Sequence, residues 1–162
     1  MARQEIPRED LLRDARALVR RGEFHVEGIE EPVVIGFRQG GAASVYFGED
    51  PAVHFTSDGL LRRGFIGGSL YKAVEGQLVR MQRVRTDSEV QLQSRTLDAA
   101  PQQELLDSLR GRLQTLAERL SAGRYILAGQ APTEGSIDTA AGEWLAGLLV
   151  HPLRVADAPN VA

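Results

Sequence analysis

Between Pro32 and Arg95 the chain is cut into short apolar-rich segments by turn residues about every eight to eleven positions. The breaks are Gly40-Gly41, Gly48-Glu49-Asp50-Pro51, Ser57-Asp58-Gly59, Gly67-Gly68, Glu75-Gly76 and Thr86-Asp87-Ser88. Asp-Gly and Gly-Gly tolerate the positive φ that tight hairpin turns demand, so these breaks read as chain reversals. Short strands at this spacing pair with their sequence neighbours and build an up-and-down antiparallel sheet. The expected strands are the run Val33 to Phe37, then Ala43–Phe47, Ala52–Thr56, Leu60–Ile66, Ser69–Val74, Gln77–Arg85 and Glu89–Arg95. Phe24 and Val26, alternating with Glu23, His25 and Glu27, hint at one more before Pro32.

Helix-like segments flank the meander. From Pro7 to Arg21, Leu11, Ala15, Leu18 and Val19 fall on one helical face, with Gly22 as the stop. From Ala99 to Ser121, Leu105, Leu106, Leu109, Leu113, Leu116 and Leu120 form a leucine stripe at helical period, with Asp98 as N-cap and Gly123 as the stop. Gly111 in its middle is either a tolerated defect or a close crossing of helix and sheet. Arg124 to Ala128 suggests a short strand. Ala131 to Ser136 reads as a loop, Ala140 to Val150 as a short apolar helix stopped by Pro152, and the residues after it as a tail.

Side chains alternate faces along a strand. Continued parity gathers Val45, Phe47, Val53, Phe55, Leu61, Phe65, Val79, Met81, Val90 and Leu92 on one face, the natural partner of the leucine stripe. The opposite face then holds Tyr46, His54, Arg62, Arg80 and Gln82. From Leu60 to Arg95, six arginines and Lys72 stand against Glu75, Asp87 and Glu89, a local charge of +4 in a chain of −3. An anionic ligand or acidic partner would suit that face. Its plainer reading is the solvated side of a half-buried sheet.

The 162 residues suit one domain, spanning 1–162. With 43% hydrophobic and 25% charged residues the chain has the composition of a globular protein. A net charge of −3 and a single aromatic on the polar face give no strong nucleic-acid signal. Cysteine is absent, which removes disulfides, thiolate nucleophiles and thiolate metal sites. The longest apolar stretch, Trp144 to Val150, is far short of the ~20 residues of a membrane-spanning helix. The expectation is a soluble, cytoplasmic protein of bacterial type.

Catalytic patterns are not evident. His25, His54 and His151 do not stand at helical metal-binding spacing, and the glycine-rich stretches match neither phosphate-loop pattern. His54, mid-strand, is the best-placed general base by position, and a structural role is the simpler one. His151 suits the negative end of the last helix. No catalytic residue, metal ligand or cofactor is assigned.

The order of helix, meander and long amphipathic helix resembles in layout the helix-grip lipid carriers and, more loosely, cystatin-like cones; no signature residue of either is present. The reading is an α+β fold: an antiparallel β-meander of about six or seven strands (32–95), packed on one face by the long helix 99–121. An N-terminal helix (7–21) and a short strand and apolar helix (124–150) complete it, before a tail (151–162). The expected function is a non-catalytic structural or protein-interaction domain, with a homo-oligomer or another protein as partner. The alternative is a carrier or enzyme for a small hydrophobic or anionic ligand, with a cavity between sheet and long helix. Ligand-binding candidates are Tyr46, His54, Arg62 and Arg80. Partner-binding candidates are Trp144, Leu145 and Leu148 on the apolar helix.

Overall fold

The turn chemistry is realised in the backbone. Gly67 and Gly68 have φ of +58° and +87°, and Glu75 and Gly76 of +50° and +79°, so both two-residue turns have positive φ at each central position. That geometry matches the right-handed twist of the strands it joins. A computed structural model describes residues 18–48, 52–130 and 137–157. The strands are β1 (Arg20–Val26), β2 (Val33–Phe37), β3 (Ala43–Phe47), β4 (Val53–Phe55), β5 (Leu60–Ile66), β6 (Ser69–Val74), β7 (Gln77–Arg85), β8 (Val90–Thr96), β9 (Tyr125–Gln130) and β10 (Arg154–Val155). The helices are α1 (Ala99–Ser121) and α2 (Ile137–Leu148).

All ten strands belong to one sheet, ordered β8-β7-β6-β5-β4-β3-β2-β1-β9. Neighbours along this path run antiparallel, and β10 pairs with β5 in parallel. This corrects the expected six or seven strands and the helix over 7–21. Arg20, Arg21 and Gly22 open β1 rather than closing a helix, and residues 7–17 lie outside the described residues. Gly22 is a strand glycine: a Cβ there would lie 3.0 Å from the Ile137 side chain, so its bareness lets α2 approach β1. The expected turn at 49–51 and loop at 131–136 also lie outside the described residues. β10 was not foreseen, because two residues carry no period. Its neighbour Ala156 donates its N–H to the Leu61 carbonyl at 2.9 Å and accepts from the Gly76 N–H at 3.0 Å, filling the gap where β5 and the β6–β7 turn separate.

The leucine stripe meets the inner face of the sheet. Leu106, Leu109, Leu113, Leu116 and Leu120 are buried, and Leu105 lies at the rim. Burial of such a side chain is worth about 1.5–3 kcal/mol, so the five leucines are a large part of what holds this helix to the sheet. Gly111 meets nothing within 4 Å of its missing Cβ, so the close-crossing idea is excluded and the glycine is a tolerated defect. At the helix end, Gly123 (φ +70°) closes a Schellman arrangement: its N–H donates to the Leu120 carbonyl, and the Arg124 N–H to that of Arg119. At the other end Asp98 holds the N-cap position without a side-chain cap bond.

One irregularity redirects half the sheet. On β4 and β5, Phe55 stands opposite Leu61 and His54 opposite Arg63, leaving Arg62 as an extra residue. A one-residue slip sends every later side chain to the other face. The inner face therefore collects Val45, Phe47, Val53, Phe55 and Leu61 before the bulge, but Ile66, Tyr71, Ala73 and Leu78 after it. Phe65, Val79 and Met81, expected inside, lie on the outer face with Leu70.

Candidate functional site

The bulge also disperses the four ligand-binding candidates. Tyr46 and His54 share the outer face of β3 and β4, rings edge-to-face at 6.4 Å. His54 Nδ1 is 2.7 Å from Ser44 Oγ, its directly opposite neighbour across the β3–β4 ladder. A serine beside a histidine has the outline of an activated nucleophile. Here, however, Ser44 is fully buried and His54 is 9% exposed, so the pair joins two strands beneath the surface. Arg62 is the bulge residue. Its Nε is buried and makes no hydrogen bond to the described residues. Burial, then the guanidinium groups of Arg63 and Arg38, lower its pKa from the ordinary arginine value. Arg80 lies on the inner face, opposite Tyr71 on one side and Arg95 on the other. The four residues thus occupy three separate environments.

The apolar helix turns inward. Trp144 stacks edge-on against Phe55 at 5.5 Å and Phe37 at 6.0 Å, Leu145 is fully buried, and Leu148 closes over Gly59. The negative end of α2 is held by Arg110 of α1, which donates to the carbonyls of Leu149 and His151. This is the role expected of His151, supplied from another element.

Two surface features remain. The first is an open groove of about 690 Å³ between the C-terminal half of α1 and α2, lined by Ala117, Glu118, Tyr125, Asp138, Glu143 and neighbours. The Tyr125 hydroxyl donates to Asp138 Oδ2 at 2.6 Å, and this bond, then burial, raise the tyrosine pKa. Among the described residues no group of three or more His, Asp or Glu could hold a metal ion.

The second is the β7–β8 ribbon. Seven residue pairs from Val79–Thr96 to Arg85–Val90 run without a bulge. All seven residues of β8 are exposed, Val90 at 46% and Leu92 at 65%. The strand ends the sheet path, so the outward N–H and C=O groups of one side are unpaired within the sheet. Four arginines (Arg80, Arg83, Arg85 and Arg95) stand on the two strands without an acidic residue among them. The expected strand positions were close, but the open edge was not singled out. Val90 and Leu92, expected on the inner face against the leucine stripe, lie on the exposed outer face instead.

No family model, no curated protein and no solved structure matches the chain. No helix among the described residues is long and apolar enough to cross a membrane.

Proposed function

We propose that the chain is a non-catalytic protein-interaction domain, and that it docks an extended segment of a partner protein along the β8 edge. The carrying observation is that edge: seven exposed residues in regular strand geometry, with β7 on one side and no strand on the other among the described residues. Exposed edges are hazards that proteins ordinarily blunt with lysine, proline or a bulge. β8 has neither lysine nor proline, Arg95 is its one charged residue, and its pairing with β7 is regular. Strand addition would satisfy its backbone groups, with alternate side chains giving specificity. The buried state of Ser44 and His54 also favours an interface over a reaction centre, and the inward packing of Trp144 leaves β8 rather than the apolar helix as the docking surface.

The test is a photo-crosslinking residue at Leu92 in cells of the source organism, with exposed Glu104 on α1 as the control. Defined protein adducts at position 92 and not at 104 are expected. Failure to form any protein adduct at 90, 92 or 94 would sink the reading.

A further inference from the structure

We infer that the β8 edge pairs with the β8 edge of a second copy, antiparallel, about a two-fold axis at Leu92. The inference rests on the interaction-domain reading and names its partner.

The hydrogen-bond phase limits the register. The Leu97 N–H donates to the Leu78 carbonyl at 2.9 Å, and the Glu89 carbonyl accepts from the Thr86 N–H at 2.9 Å. Odd-numbered residues therefore bond toward β7. Val90, Leu92, Ser94 and Thr96 direct their backbone groups outward. Two such edges can pair only even residue to even residue.

Charge then selects among the allowed registers. With Leu92 on the axis, Leu92 faces the partner's Leu92, and Val90 faces the partner's Ser94. Glu89 then falls opposite the partner's Arg95, twice by symmetry. Both lie on the inner face, since Gln91 Nε2 donates to Glu89 Oε1 at 3.0 Å along that face. Centring on Gln93 places Arg95 opposite glutamine and removes both ion pairs. Centring on Gln91 sends Arg95 opposite Asp87, which lies in the turn beyond the last ladder bond at Thr86–Glu89.

An independent feature agrees. Arg80 and Arg95 stand directly opposite each other. Like charges in that position are unfavourable, and neither β7 nor β8 carries an acidic side chain. In the Leu92-centred register the partner's Glu89 extends this row and supplies the missing negative charge. On the outer face, Val90 comes beside the partner's Ser94, next to the partner's Met81.

The sheet's other edge, β9, has no charged residue to match Glu89 and Arg95. Pairing β8 to β9 would also be head-to-tail and open-ended, whereas β8 to β8 closes.

The experiment is sedimentation velocity on the full chain over a concentration series, because a one-strand contact is small and belongs to the transient class. The wild type is expected to approach twice the 17.7 kDa of one chain as concentration rises. Glu89→Arg and Arg95→Glu should each weaken self-association at least about tenfold. An equimolar mixture of the two, or the double variant, should restore it. Leu92→Pro removes an outward N–H only, so it should abolish the dimer with an unchanged circular dichroism spectrum. A wild type monomeric throughout, a dimer indifferent to the charge swaps, or an open-ended ladder of masses would each overturn the pairing. If the wild type is monomeric while Leu92 crosslinks to a different protein, self-pairing fails and the interaction-domain reading stands. If neither occurs, both fall.

Discussion

β3 and β4 are buried at every position, whereas β8, in the same sheet, is exposed at every position. The difference lies in what covers each strand. On the inner side β3 and β4 meet the α1 leucines and the Trp144 cluster, and on the outer side Ala52 and Tyr46 are buried with Leu18. Neither face of β8 is covered by a described element. A strand buried on both faces is chosen for apolar content, as in Ala43-Ser44-Val45-Tyr46-Phe47. A strand left open carries no such demand, and Val90-Gln91-Leu92-Gln93 alternates apolar and polar residues. Covered and uncovered strands are thus separated along one meander.

The sharpest way to break this comparison is to truncate one leucine in each region. Leu113→Ala, at a fully buried site, should cost about 2–5 kcal/mol in urea unfolding. Leu92→Ala, measured on dilute protein, should change stability by less than about 0.5 kcal/mol. Similar losses would mean that the ribbon belongs to the core after all. Next in size, Gly64→Ala should cost about 1–3 kcal/mol, because its Cβ would lie 3.0 Å from the Val53 backbone. An unchanged midpoint there would show that the β4–β5 bulge can relax.

Two substitutions should act in the opposite direction. Gly111→Ala has open space around it and should stabilise α1 by about 0.5–1 kcal/mol in thermal or urea melts. Glu75→Asn, at φ +50°, should stabilise the β6–β7 turn by up to about 1 kcal/mol, since asparagine tolerates that conformation better. The smallest effect concerns pH. The raised Tyr125 pKa contributes stability that is complete below the ordinary tyrosine value of about 10 and lost as pH rises through the higher folded value. Tyr125→Phe should remove that alkaline slope from a pH series of unfolding midpoints; an identical slope would assign it elsewhere.

Local signals located the meander turns, the strands from β2 to β8, the leucine stripe and the Gly123 stop. Each depends on contacts within a few residues or on a period of two or 3.6. The bulge at Arg62 was not legible, because it arises where two strands fail to keep step, and neither strand records it alone. Its consequence spread to Phe65, Val79, Met81 and Arg80, whose faces were all reversed. The candidate set Tyr46, His54, Arg62 and Arg80 was selected by uninterrupted parity and dispersed with it. Gly22 illustrates the same limit: a glycine after a periodic segment reads as a helix stop, and only the approach of Ile137 shows it as a strand position.

By itself the sequence determined where the chain reverses, which segments are extended, and that a long leucine-faced helix must find a sheet. Those properties follow from backbone conformational preference and the burial of apolar side chains, which act locally. Tertiary structure decided which face of β6 to β8 turns inward, that Trp144 enters the core, and that β8 is left as an open edge. These outcomes depend on register and on which surfaces remain uncovered, and both are set by pairings between residues far apart in the chain.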